Sequence, residues 1–226
     1  MNREMFLKEV PLFHSLTAKD TTRLGAVLSR RSLKKGEVVF RKGSEGDALY
    51  IVKNGSIKIA LPSPDGEEMI LALFSRGDFF GEMALVDGMP RSADAVALEP
   101  SDLFVLDRKG FLGFLKGNES AIQAILTALS LRLRKTDDLL EDTCFLNISA
   151  RFAKKLVELA ENHGRKEGKA VSIDLDLTQR DLASMVGATR ESINKELRIL
   201  REKGIVCTEG NNILIHNLER LSRRFG

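Results

Sequence analysis

The pattern of apolar and polar positions changes character twice along the chain. Residues 3–31 read as short helical pieces broken at Pro11. From Leu33 the apolar positions gather into short β-prone runs at 37–40, 48–52, 56–61, 69–74, 93–98 and 103–106. Gly36, Gly43, Gly46 and the segment Lys53-Asn54-Gly55-Ser56 punctuate them. Asn-Gly between apolar runs predicts a hairpin, because the favoured two-residue turn needs positive φ at its central residues. Six short strands at close spacing predict a β-sandwich or β-roll.

Residues 118–145 contain neither Gly nor Pro, and their apolar residues fall at helical spacing. Ile122, Leu126, Leu129, Leu133, Thr136 and Leu140 follow alternating steps of four and three, a heptad seam. Nearly three heptads are long enough for a dimerisation helix; the alternative is a helix packed on its own domain. Thr136 breaks the apolar run in mid-seam, so it sets register or touches something. After Asn147 a new helix carries Ala153, Leu156, Val157 and Ala160 on one face. A polar, Gly-containing loop is predicted at 164–169 and a short strand at 172–177.

The next segment carries punctuation with a mechanism. Thr178 and Asp181 form a capping-box-like helix start, and Leu182, Ala183 and Val186 form its buried stripe. Gly187 stops that helix, since Gly turns into left-handed φ/ψ at little cost. Thr189 is a good N-cap for a second helix, whose inner face is Ile193, Leu197 and Leu200. Its outer face is Arg190, Glu191, Asn194, Lys195 and Arg198. Two helices joined by a short Gly turn, with long polar side chains early in the second, predict a helix-turn-helix. Apolar runs 205–208 and 213–216 flank Glu209-Gly210-Asn211-Asn212, a hairpin that makes the unit a winged helix. Thr178 and Gln179 join Thr189, Arg190, Glu191, Asn194, Lys195 and Arg198 as the expected DNA-contacting set. Arg190 matches the O6 and N7 acceptors of guanine, and Glu191 the N4 donor of cytosine. Arg201 and Lys203 are better placed for phosphates.

Composition then narrows the class. A hydrophobic fraction of 43% with 30% charged residues describes a soluble globular chain. No run of 18 apolar residues exists, so no membrane-spanning helix is expected. The N-terminus leads into no long apolar stretch, which argues against a signal peptide. Cys144 and Cys207 stand far apart, in no metal-ligand spacing, so a cytoplasmic protein with reduced thiols is expected. The net charge of +3 divides unevenly. After residue 146 there are 15 basic and 11 acidic residues; before it, 20 and 21. The C-terminal third is therefore the basic part, as expected if that module meets nucleic acid.

The remaining signal runs from Gly77 to Ala93. Arg91 followed by Ser92 can bind a phosphate, a short helical turn before them can offer amides, and Glu82 suits a sugar hydroxyl. Together they describe a nucleotide pocket; taken alone, the segment is better read as an Arg–Glu surface pair in a loop. Beside the β-runs, the long helix and the winged helix, however, the chain resembles the cyclic-AMP receptor protein/FNR (Crp–Fnr) family of bacterial transcription regulators. The resemblance covers nearly the whole length. It implies an α+β architecture: an N-terminal cyclic-nucleotide-binding β-roll (jelly roll) at 1–117, a long dimerisation helix at 118–146 and a C-terminal winged helix-turn-helix at 147–226.

The family pattern implies that Glu82 binds the ribose 2′-hydroxyl and that Arg91 and Ser92 hold the cyclic phosphate, with Gly81 and Met83 nearby through backbone. On the dimer helix it implies Thr136 against the base, with Arg132 and Asp137 in the same ligand-binding set. Asp137 stands where the cyclic-AMP receptors carry Ser. A carboxylate only accepts, so it suits the adenine N6 amino group over the guanine O6 and tilts the effector towards cyclic AMP. Lys195 stands where those receptors often carry Arg, and it lacks the bidentate fork. The implied partners are a second copy of the chain, a pseudo-palindromic double-stranded DNA and RNA polymerase, with cyclic AMP as effector and no prosthetic group or metal. A relative answering to cyclic GMP or cyclic di-GMP, or binding DNA without ligand, is the alternative. Two cysteines cannot supply the four that the iron–sulfur branch needs. The three histidines, His14, His163 and His216, are expected at the surface, not as haem ligands. No motif of a P-loop, zinc protease or serine hydrolase is present, so no enzyme is expected.

Overall fold

The computed structural model describes residues 3–13, 16–173 and 175–225; His14 and Asp174 lie outside them. The chain divides into two compact units, Met1–Pro62 with Leu71–Lys135, and Ser63–Ile70 with Thr136–Gly226.

The first unit opens with α1 (Arg3–Glu9), a 3-10 turn at Pro11–Phe13 and α2 (Ala18–Val27). Eight strands follow: β1 (Ser29–Leu33), β2 (Val38–Phe40), β3 (Ala48–Asn54), β4 (Ile57–Pro62), β5 (Glu68–Phe74), β6 (Phe79–Phe80), β7 (Asp94–Ala97) and β8 (Ser101–Asp107). The five-residue α3 (Met83–Asp87) interrupts them, and α4 (Arg108–Leu115) leads into the long α5 (Glu119–Phe145). One sheet has the order β1-β8-β3-β6, the other β2-β7-β4-β5.

Strand β3 shows why this folds as layers. Residues Ala48 to Val52 are all buried. Leu49 and Ile51 meet a core built with Phe6, Phe13, Phe111 and Ile125 of the helices. Ala48, Tyr50 and Val52 point the other way and pack with Ile57, Ala95 and Phe80 between the sheets. A strand covered on both faces reads as a continuous apolar run, as this one does.

Three local expectations change. Asn54-Gly55 does not close a hairpin, because β3 pairs with β8 and β6 while β4 pairs with β7. Gly55 has φ 84°, but no described non-Gly residue has positive φ, so Asn54 cannot complete a type I′ turn. The chain turns a corner there and changes sheet. The β-roll also begins earlier than Leu33: Ser29 and Arg30 already pair with Val105 and Phe104. In the second unit the stretch 164–169 is not a loop. Gly164–Glu167 is β9, paired with β10 (Ala170–Ile173), and Leu175 to Thr178 carry no regular structure. Strand β9 is an exposed, charged edge, so it lacks the apolar alternation that marks a strand.

Helix α5 has two faces. Ala121 and Ile125 are buried against the first unit's core, and Leu129 packs partly against it. Ile122, Leu126, Leu133 and Leu140 of the seam are 44–64% exposed. The helix packs on its own domain and still leaves most of the heptad stripe uncovered. Thr136 and Asp137 are also exposed.

In the second unit α6 (Ile148–His163) buries Phe152, Ala153, Leu156 and Ala160. Then come α7 (Gln179–Val186), α8 (Arg190–Glu202), β11 (Val206–Glu209), β12 (Asn212–Ile215) and α9 (Leu218–Ser222). The sheet order is β11-β12-β10-β9, with β11 and β12 forming the wing. No described helix is long and apolar enough to cross a membrane.

Candidate functional site

Two sets of polar residues are each built inside one unit. In the first, β6 ends at Phe80, and Gly81 takes φ 85° before Glu82 opens α3. A Cβ on Gly81 would sit 2.6 Å from Arg91 Nη1 and 3.2 Å from the Ala48 carbonyl, so only Gly allows this approach. Gly88 reverses the chain after α3, and Arg91, Ser92 and Ala93 lead into β7.

Arg91 is 4% exposed. Its Nη1 donates to the Gly81 carbonyl at 2.6 Å and its Nη2 to the Ala48 carbonyl at 2.8 Å. Its guanidinium lies 4.2 Å from the Phe40 ring centroid and 3.8 Å from Asp47 Oδ1. A buried cation is costly unless hydrogen-bonded and paired, and these contacts meet that demand at Nη1 and Nη2. Burial draws the Arg91 guanidinium below its ordinary value, while Tyr50, Asp47 and Glu82 act in the other direction.

Glu82 is 1% exposed. Its Oε1 accepts from Arg132 Nη1 of α5, whose Nη2 reaches the Phe79 carbonyl. The Arg132 guanidinium also lies 4.7 Å from the Phe74 ring centroid. Glu82, Arg91 and Arg132 therefore converge, Gly81 is the backbone contact, and Ser92 stands exposed beside them with its Oγ 3.9 Å from Met83 Sδ. Thr136 follows Arg132 by four residues and so shares its face of α5, while Asp137 is turned about 100° further round. Arg108 gave no sequence signal. Its Nη2 donates to the Ala84 carbonyl at 2.7 Å and ties α3 to α4.

The second set lies on α7, α8 and the wing. Thr178 and Asp181 complete the capping box. Gly187 takes φ 60°, ψ 47° as the cap of α7. Thr189 accepts from Ser192 N at the start of α8. Both Thr hydroxyls are engaged in capping, with Thr178 Oγ1 2.6 Å from Asp181 Oδ2. Gln179, Arg190, Glu191, Lys195 and Arg198 are exposed. A groove of about 600 Å³ runs between α8 and the wing, lined by Gln179, Arg190, Asn194, Arg201, Thr208 and Asn211 among others. Arg201 Nη1 is 3.4 Å from Thr208 Oγ1, and Asn211 Nδ2 donates to Asp176 Oδ1 at 2.5 Å, which fixes the wing beside the groove.

Buried polar atoms in folded proteins nearly always find a partner. Among the described residues three buried side-chain atoms do not: Glu82 Oε2, Arg91 Nε and Asn194 Oδ1. All three belong to these two sets.

Residues 30–118 match the cyclic nucleotide-binding domain family, and residues 150–224 the Crp-like helix-turn-helix domain. The chain is 36% identical to the CRP-like cAMP-activated global transcriptional regulator of Mycobacterium tuberculosis, over 84% of this chain and 85% of that protein. It is 30% identical to the cyclic AMP receptor protein of Thermus thermophilus, over 88% and 89% of the two chains. The solved structure of the c-di-GMP responsive global regulator CLP of Xanthomonas campestris shares the fold, with a TM-score of 0.77 at 24% identity over 89% of this chain and all of that one. The chain belongs to the Crp–Fnr family of transcription regulators, proteins that pair a cyclic-nucleotide-binding domain with a DNA-binding helix-turn-helix and are not enzymes.

Proposed function

We propose that the chain acts as a homodimer whose binding of double-stranded DNA is gated by cyclic AMP in the β-roll. The observation that carries this is the pair of unpartnered buried atoms, Glu82 Oε2 and Arg91 Nε. Their chemistry suits a ribose hydroxyl and a cyclic phosphate: a carboxylate oxygen accepts, a guanidinium N–H donates. Ser92, with the backbone of Gly81 and Met83, completes the phosphate side. Thr136, on the Arg132 face of α5, meets the base, and Asp137 favours adenine from the partner copy. Cyclic AMP is also the activator named for the Mycobacterium relative.

Functionally the chain divides as 1–117 for sensing, 118–146 for dimerisation and 147–226 for reading DNA. The exposed Ile122, Leu126, Leu133 and Leu140 form the dimer seam. Two copies joined there would present two α8 helices to successive major grooves about 34 Å apart on a pseudo-palindromic site. Arg190, Glu191, Asn194, Lys195 and Arg198 read base edges, and Gln179 and Arg201 meet phosphates. Nucleotide acts by preferring the DNA-competent arrangement.

Calorimetric titration with cyclic AMP, cyclic GMP, cyclic di-GMP and 2′-deoxy cyclic AMP tests the pocket. Cyclic AMP is expected to bind best. Removal of the 2′-hydroxyl should weaken binding by about 1.5–3 kcal/mol, as for a hydrogen bond to a charged group. In Glu82→Gln the two nucleotides should differ much less. Equal affinity for both in the unsubstituted protein would refute the Glu82 role. Leu133→Glu should shift the sedimenting species from dimer to monomer; an unshifted dimer would place the interface elsewhere.

A further inference from the structure

Arg151, in the first turn of α6, reaches the ends of two other helices. Its Nη1 donates to the Leu146 carbonyl at 2.8 Å and lies 3.5 Å from the Thr143 carbonyl, both at the end of α5. Its Nε donates at 3.0 Å to the carbonyl of Val186, the last residue of α7. Carbonyls at helix C-termini lack intrahelical donors and carry partial negative charge, so one cation serves both ends well. Lys154, three residues further along α6, pairs with Asp142 at 2.6 Å. Two cations on one face of α6 thus hold the last turn of α5. Val186 adjoins Gly187, whose left-handed turn sets the direction of α8.

We propose that Arg151 is a positioning residue for DNA recognition. Its guanidinium joins the final turn of the long helix to the turn of the helix-turn-helix, so that a movement of α5 reaches the reading helix as a rigid displacement. The backbone at Leu146–Asn147 and the Lys154–Asp142 pair tie α5 to α6, and among the described contacts Arg151 is the side chain that also reaches the turn of the helix-turn-helix. Arginine suits the position because two different nitrogens of its planar guanidinium, Nε and Nη1, point at carbonyls on two sides, whereas an ammonium offers a single nitrogen. The functional consequence rests on the proposed gating by nucleotide; the mechanical join does not.

The test uses the full chain with Cys144→Ser and Cys207→Ser, spin-labelled at Glu141→Cys and Glu202→Cys. Dilution into unlabelled protein restricts pulsed dipolar spectroscopy to distances within one chain. Without nucleotide or DNA, a single narrow distance distribution is expected. Arg151→Ala should broaden it, and so should Arg151→Met, which keeps the aliphatic stem and so guards against loss of the fold. A distribution as narrow as the parent's in a folded variant would overturn the join. In DNA-binding curves at fixed salt, the cyclic AMP enhancement should fall towards one in the Arg151 variants, from the roughly 5–150-fold usual for coupled sites. Broadened distances with an unchanged enhancement would overturn the relay. If the parent itself shows no enhancement, the gating fails, and the distance measurement still decides the join.

Discussion

The proposed nucleotide pocket and the proposed DNA-reading face use the same side chain in opposite ways. Arg91 is 4% exposed, held by the Gly81 and Ala48 carbonyls and the Phe40 ring, with one donor left over. Arg190 stands in solvent at the start of α8. A buried arginine is part of the packing, so its loss disturbs the fold as well as any ligand. An exposed one contributes almost nothing until a partner removes its water. On the proposed function, ligand binding and stability would therefore be coupled at Arg91 in the β-roll and separable at Arg190 in the winged helix.

The sharpest way to break this contrast is to truncate Arg91. Arg91→Ala should abolish detectable cyclic nucleotide binding, since truncating one partner of a buried, hydrogen-bonded charge pair costs about 2–5 kcal/mol. Calorimetry reads that loss. Differential scanning calorimetry should also show a lower Tm, because the Gly81 and Ala48 carbonyls lose their donors. Full Tm retention would show that Arg91 is not part of the packing.

Arg190→Ala should do less and do it in one place. Specific DNA binding is expected to weaken by about 1–3 kcal/mol, with relaxed preference at one base pair. Thermal stability should stay within about 0.5 kcal/mol of the parent, as for exposed positions. Footprinting together with a melting curve checks both, and a large Tm loss would erase the contrast.

The smallest effect is a control on whether burial, rather than membership of the sensing unit, sets the size of the response. Asp102 is an exposed carboxylate on β8 that accepts from Ser32 Oγ at 2.6 Å. That hydrogen bond, helped by Lys53, holds its pKa below the ordinary value. A depressed carboxylate pKa stabilises the fold above the unfolded value and loses that contribution as pH falls through the folded one. Asp102→Asn should therefore lower Tm slightly at neutral pH, by well under about 1 kcal/mol equivalent for an exposed group. The difference should vanish in acid. A large effect at neutral pH would mean that position in the unit matters more than burial.

What was legible in the sequence follows from how local each feature is. Thr178, Gly187 and Thr189 act within a few residues of themselves, and the capping box, the left-handed stop and the second N-cap are all present. The heptad spacing on α5 likewise showed its exposed stripe. The allocation of β3 and β4 to different sheets was not legible, because Asn54-Gly55 looks the same whether the strands after it pair or part. The partners of Arg91 were hidden for a related reason. The Ala48 carbonyl is 43 positions away, and a backbone acceptor leaves no mark in the residue string. Arg108 and Arg151 escaped notice on the same ground, since both bind carbonyls almost exclusively.

The most direct test is the affinity of the full-length protein for a duplex selected from random sequence, measured with and without cyclic AMP at one fixed salt concentration. Salt must be held constant because phosphate contacts alone make affinity fall steeply with ionic strength. Tighter binding with cyclic AMP in the parent, and no such gain in Arg91→Ala, is the expected result. Superimposable curves for the parent with and without nucleotide would contradict the gating.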